Sequence, residues 1–192
     1  MQSSHYFIGI HIPEAYRSEL VDQQQELKKE FQYKNWTGTD DFHITLKFLG
    51  AVEPNTLEKL IEACLLLEFP PSFQCQLNEL GSFGKSTEPR VLFREVEKHP
   101  NLLKLQAAFE KTSAEFGYPP EKRTYNPHVT IGKKFLSATA PVNEILERTK
   151  RDHLEFEVQK AVLFRIEPQQ NPRYVPIAKF HLKGGEHHGA VD

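Results

Sequence analysis

The sequence predicts an α+β fold of two pseudo-duplicated lobes, each an antiparallel sheet with helices on its outer face, and a cleft between them. Three observations lead there. β-prone runs alternate with helical stretches along the whole chain. Helices precede or follow strand pairs of antiparallel type, so a doubly wound parallel sheet fits poorly. The order strand, helix, strand containing H-x-T occurs once in each half, which reads as an internal duplication. A length of 192 residues is enough to bury a substantial core. Residues 1–183 are expected to form one bilobal domain, and residues 184–192, GGEHHGAVD, a flexible tail.

The first predicted element is the β-prone run His5 to Ile12, ended by Pro13, which suits the first turn of a helix. Tyr16, Leu20, Gln24, Leu27 and Phe31 then mark one helical face. Gly38 and Asp40–Asp41 read as a turn, and Phe42 to Leu49 alternates as a strand does. Glu53–Pro54 opens a second helix with the face Leu57, Leu60, Ile61, Cys64 and Leu65. Phe73 to Leu80 and Val91 to Val96 read as paired strands around the loop SFGKSTEPR. A third helix starts at His99–Pro100, carries Leu102, Leu105, Phe109 and Phe116, and ends at Gly117 with Pro119–Pro120. Asn126–Pro127 introduces the strand His128 to Lys133. A short helix around Val142, Ile145 and Leu146 follows, then strands near Leu154 to Ile166 and Tyr174 to Leu182.

Composition excludes several classes. A net charge of −2 argues against a protein that coats nucleic acid through bulk positive charge. A local basic patch is still available from Lys47, Arg90, Lys122, Arg123, Lys133 and Lys134. No apolar run approaches the ~20 residues of a membrane span, and Met1 to Phe7 lacks the pattern of a secretion signal. The two cysteines, Cys64 and Cys75, form neither a metal-type pair nor a disulfide framework. A cytoplasmic monomer with reduced thiols is the expectation.

The chemistry is carried by two tetrapeptides, His43-Ile44-Thr45-Leu46 and His128-Val129-Thr130-Ile131. One H-x-T is weak evidence; two, each on a strand in its own half, are informative. Alternation turns His43, Thr45 and Lys47 to one face and Ile44, Leu46 and Phe48 to the other, and likewise separates His128 and Thr130 from Val129 and Ile131. Two imidazoles and two hydroxyls would then meet in the cleft. That set suits phosphodiester chemistry: one histidine as base toward water, one as acid toward the leaving oxygen, and threonines donating to non-bridging oxygens. The arrangement requires no metal, and the other histidines show no metal-ligand spacing.

With these motifs the chain resembles the two-histidine phosphoesterases, and among them the RNA 2′,3′-cyclic phosphodiesterases, also called 2′-5′ RNA ligase-like proteins. The resemblance runs from FIGIHIP through HITLKFLG, PRVLF and NPHVTIGK to LFRIEP and PRYVPIAKF. It implies hydrolysis of an RNA-terminal 2′,3′-cyclic phosphate to a 2′-phosphate without metal or cofactor. It also implies His43 as proton donor and His128 as proton acceptor. An arginine usually stands five residues after the second histidine, where this chain has Lys133; the charge is kept and the planar fork is not. Phe7 matches an aromatic position near the nucleoside, while Lys47 and Arg90 are candidate contacts to phosphate. Three other readings stay open: reversible 2′-5′ ligation, hydrolysis of small cyclic nucleotides, and a nucleotide-binding module without catalysis. A metal-dependent hydrolase fits least well.

Overall fold

The computed structural model describes residues 4–184; beyond Gly184, the expected tail lies outside the described residues. The strands are β1 (His5–His11), β2 (Phe31–Trp36), β3 (His43–Ala51), β4 (Phe73–Lys85), β5 (Glu88–Val96), β6 (His128–Ala138), β7 (Leu154–Val158), β8 (Lys160–Ile166) and β9 (Tyr174–His181). The helices are α1 (Glu14–Glu30), α2 (Pro54–Leu65), α3 (Pro100–Glu115) and α4 (Val142–Arg148), with a 3-10 turn at Thr39–Asp41. No helix among the described residues is long and apolar enough to cross a membrane.

All nine strands belong to one antiparallel sheet, in the order β7-β4-β5-β6-β3-β1-β8-β9, with β2 beside β6. The sheet has two wings. β3, β1, β8 and β9 form one; β7, β4, β5, β6 and β2 form the other. They join where β3 meets β6, at the single pair Ile44–Val129. The wings do not follow the halves of the chain: β8 and β9 return from the C-terminal half to lie beside β1, and β2 crosses to β6. The helices cross as well. α1 packs on β2 and β6, and α3 packs on β3, so each wing is covered by a helix that follows a strand of the other.

The side facing the helices holds the main core, including Ile8, Ile10, Leu20, Leu27, Ile44, Phe109, Val129 and Ile131. Each fully buried aliphatic or aromatic side chain stabilises the fold by about 1.5–3 kcal/mol. The helical faces read from the sequence are found, with two exceptions: Phe31 is buried but already belongs to β2, and Leu65 is 59% exposed, because α2 ends there and turns its last residue outward. SFGKSTEPR is not a loop. β4 runs on to Lys85 and β5 starts at Glu88, so all but two of its residues lie in strands, with Arg90 bulged out of the pairing. β2, a short strand with no helix of its own, was absent from the sequence reading, although Phe31 and Tyr33 are buried and Gln32 and Lys34 exposed in its alternation.

Arg94 is fully buried under the second wing. Its guanidinium donates to the carbonyls of Asn78, Leu77 and Asp152 and to Gln23 Oε1, and so ties α1, β4 and the entry to β7 together.

The decisive irregularity occurs twice. On β3, Thr45 pairs with Gly9 and Lys47 with Ile8, leaving Leu46 without a partner. On β6, Thr130 pairs with Phe93 and Gly132 with Leu92, leaving Ile131 without one. Both bulges fall three residues after the histidine, and each reverses the alternation beyond it.

Candidate active site

Because Ile44 faces Val129 across antiparallel strands, Thr130 lies opposite His43 and Thr45 opposite His128. The two histidines are then diagonal neighbours on one face of the sheet, about 7–8 Å apart at the backbone and somewhat less at Cβ.

Both imidazoles are held in the same way. His43 Nδ1 is 2.7 Å from the carbonyl of Asp41, and His128 Nδ1 is 2.7 Å from the carbonyl of Asn126, each two residues upstream. A carbonyl only accepts, so Nδ1 carries the proton and, in the neutral ring, Nε2 carries the lone pair. Thr45 Oγ1 lies 3.1 Å from His43 Nε2 and donates to it in that state.

Aromatic rings flank both histidines. Phe7 lies 4.6 Å and Tyr174 4.9 Å from the His43 ring, centroid to centroid. Phe83 and Phe93 each lie 5.0 Å from His128. Gly81 makes the second cage possible: a Cβ there would meet the Phe93 ring at 2.6 Å. These walls desolvate the imidazoles, and His43 is pushed down to about 4, with the charges of Lys133, His11 and His128 adding to the effect. His128 is lowered for the same first reason, with Lys133 next. Lys133 is itself lowered, by desolvation and then by Arg173.

Beside His128 opens a cavity of about 910 Å³, lined among others by Thr45, Phe48, Phe83, Arg90, Arg123 and Lys133. Cations and exposed aromatic rings in one groove are the combination that binds a single-stranded nucleic acid through phosphates and bases. A model of the 2′-5′ RNA ligase superfamily matches residues 16–170, most of the chain and both histidine motifs. The chain belongs to that superfamily.

Relatives within the superfamily agree. A Bacillus subtilis protein named RNA 2′,3′-cyclic phosphodiesterase is 31% identical over 183 residues, covering 93% of this chain and 96% of the relative. A Geobacillus stearothermophilus protein of the same name is 29% identical over 185 residues, 96% of this chain, and the chain spans 59% of that relative's length. Among solved structures, Escherichia coli LigT complexed with 3′-AMP superposes with a TM-score of 0.76 at 21% identity, covering 95% of this chain and 99% of LigT. A Thermus thermophilus protein, TT0787, gives 0.75 at 22% identity, covering 95% and 100%. At such identities these structures establish the shared fold.

Against the superfamily pattern, the residues singled out from sequence separate into groups. His43, His128 and Thr45 converge as described, and Thr130 is half-buried on the same strand as His128. Arg90 and Lys133 line the cavity, as do Arg123 and Lys134, whereas Lys122 does not. Lys47 departs from expectation. The bulge at Leu46 turns it inward, where it is 2% exposed and bonded to Glu110 Oε2 at 2.8 Å and to the carbonyl of Pro119 at 2.7 Å. That placement does not suit phosphate contact. The same reversal puts Phe48, expected in the core, 51% exposed in the cavity. Phe7 is also corrected: it is 3% exposed and covered by His43, Phe164 and Tyr174, so it buttresses the histidine and offers no free ring to a base.

Several contributors escaped the sequence reading. Asp41 and Asn126 act through backbone carbonyls, which no side-chain pattern reveals. Phe83, Phe93, Phe164 and Tyr174 lie far from the motifs in sequence. Cys64 and Cys75 are buried, and their thiols are pushed up to about 12, as packing residues rather than nucleophiles. Among the described residues no group of three or more His, Cys, Asp or Glu is placed to hold a metal ion.

Proposed function

We propose that this chain hydrolyses the 2′,3′-cyclic phosphate at the end of an RNA to a 2′-phosphate, with His43 and His128 as general acid and base. The observation that carries the reading is the matched anchoring of the two imidazoles on either side of the Ile44–Val129 pair, each with Nδ1 committed to a backbone carbonyl, so that Nε2 is the nitrogen that reacts. His128 Nε2 takes a proton from water as the water oxygen bonds to phosphorus. The P–O3′ bond breaks, and His43 Nε2–H delivers its proton to O3′. Thr45 and Thr130 donate to non-bridging oxygens, and Lys133 and Arg90 meet the phosphate charge.

In the free protein His43 is neutral at physiological pH. The incoming phosphate is an anion that offsets the Lys133 charge and favours the imidazolium, so substrate supplies the condition for its own acid catalysis. The pair titrates as a unit, and a bell-shaped rate profile belongs to both. Two free buried thiols fit a reducing compartment, and a cleft completed within one chain needs no second copy; we read the enzyme as a cytoplasmic monomer that uses no metal or cofactor.

The test is a product assay on an RNA with a 2′,3′-cyclic end, in the presence of chelator. Turnover to a 2′-phosphate, with losses of about 10²–10⁴-fold in His43→Ala and in His128→Ala, is expected. Full activity in both variants sinks the reading, and a 3′-phosphate product reverses the leaving group. A second reading, ligation with an RNA hydroxyl in the place of water, is favoured by the cavity beside His128, which is wider than a water site. Adding an RNA with a free 5′-hydroxyl and looking for a joined product separates the two.

A further inference from the structure

The segment between α3 and β6, residues 116–127, has no regular structure, yet it builds one wall of the cleft through Pro120, Glu121, Arg123, Thr124, Tyr125 and Asn126. Asn126 is also the residue whose carbonyl holds His128. A chain of irregular backbone with this duty needs to be fixed from outside itself. At its end β5 holds it, where Val96 N–H donates to the carbonyl of Pro127 at 3.2 Å; its side-chain fixings all reach β3: Tyr125 OH donates to the carbonyl of Thr45 at 3.0 Å, Lys47 Nζ donates to the carbonyl of Pro119 at 2.7 Å, and Tyr118 OH reaches the carbonyl of Ala51 at 3.5 Å.

Lys47 has a second partner. Glu110 Oε2 lies 2.8 Å from its Nζ, while Glu110 Oε1 accepts from Gln106 Nε2 at 3.3 Å, and Glu110 itself borders the cavity. An uncompensated carboxylate there would repel an incoming phosphate. Stability alone does not explain a buried lysine at this place, since an apolar residue of similar volume usually serves a core as well or better.

We propose that Lys47 is a positioning residue, strapping the 116–127 segment to the strand of His43 while neutralising Glu110, so that one ammonium steadies the segment whose Asn126 carbonyl orients the His128 ring and keeps the cleft wall free of negative charge. The proposal rests on the two-histidine reading for its catalytic consequence. Its structural content stands apart from that reading.

Three proteins test it: wild type, Lys47→Met, and Lys47→Met with Glu110→Leu. The single variant removes both roles and leaves Glu110 unpaired; the double variant removes the strap and restores neutrality in an apolar pocket. KM for a cyclic-ended RNA is expected to rise about tenfold in the single variant, less at high salt, and to return to near wild type in the double. kcat is expected to stay low in both, by up to about 10²-fold, because the segment that orients the His128 ring through Asn126 is held less firmly. In the resting proteins, amide exchange over residues 118–127 should quicken in the double variant, and the His128 imidazole, whose bond to the Asn126 carbonyl raises its pKa, should titrate further below its ordinary value as that bond loosens.

A double variant with wild-type kcat, or with unchanged exchange over 118–127, overturns the strap. A single variant with unchanged KM overturns the neutralising role, and if Lys47→Met does not fold, Lys47→Gln, which keeps a donor to Glu110 and removes the charge, decides it by the same KM comparison. Exchange and titration need no substrate. If the wild type does not turn over cyclic-ended RNA while the double variant still loosens the segment, the proposed function falls and the strap stands.

Discussion

Replacing His43 with Asn should make the protein lose activity and yet withstand mild acid better than wild type. The Asn amide can donate to the Asp41 carbonyl in place of Nδ1–H, so the local backbone keeps its partner. What disappears is a group that is neutral in the native state and protonated in the unfolded one. His43 is pushed down to about 4 by desolvation, against about 6.5 in an unfolded chain. A depressed histidine binds fewer protons folded than unfolded, so its contribution to stability is lost as pH falls from about 6.5 toward 4. At pH 5 that linkage is worth about 2 kcal/mol at face value, and about 1 kcal/mol once solvent screening of the half-buried ring is allowed for. At pH 7.5 it is close to zero, so the comparison of slopes cancels any fixed effect of the substitution. Urea unfolding of both proteins at pH 7.5 and pH 5 measures it. Wild type should lose about 1 kcal/mol more than the variant between the two conditions, while turnover of a cyclic-ended RNA by the variant falls by about 10²–10⁴-fold. Equal losses in the two proteins, or an imidazole resonance of His43 titrating near 6.5, would refute the argument that the Phe7 and Tyr174 walls keep this ring neutral.

Lys133→Ala should raise KM about tenfold, the effect of one charged contact of about 1.5 kcal/mol, and should flatten the salt dependence of binding; steady-state kinetics at two ionic strengths would show it. Because Lys133 lowers both histidines, the acid limb of the rate profile should also move upward in pH. Thr45→Val removes the hydroxyl beside His43 Nε2 and should lower kcat about tenfold, with stability changed by less than about 1 kcal/mol in thermal unfolding. Arg94→Leu leaves the carbonyls of Asn78, Leu77 and Asp152 unmet in the core and should reduce unfolding free energy by about 3–5 kcal/mol in a denaturant titration.

The histidine pair was legible because it depends on the most local rule a strand has: a period of two that holds from His43 to Thr45 and from His128 to Thr130. One residue further on, that rule fails. Extending alternation to Lys47 and Phe48 assigns each to the wrong face, since Leu46 is squeezed out of register by the spacing of Gly9 and Ile8 on the neighbouring strand. A bulge is a property of two strands, and neither strand states it alone. The duplication nevertheless held a clue. Aligning the two motifs sets Lys47 against Gly132 and Phe48 against Lys133. Gly132 sits where a Cβ would come within 3.1 Å of the Tyr33 ring, a crowded inward position, whereas Lys133 faces the cleft. A fourth position that is glycine in one copy points inward in the other, and a fifth that carries cleft-lining charge in one copy points to the cleft in the other. The same alignment explains why β2 and the crossed helices were harder to read. Phe31 and Tyr33 on β2 serve the β6 wing, α1 and α3 each cover the opposite wing, and contacts of that kind follow from how the repeats exchange segments rather than from the pattern within either. The chemistry therefore lies in short motifs, but its precision depends on pairings made across the two repeats, and Lys47 on the segment before His128 is the clearest case.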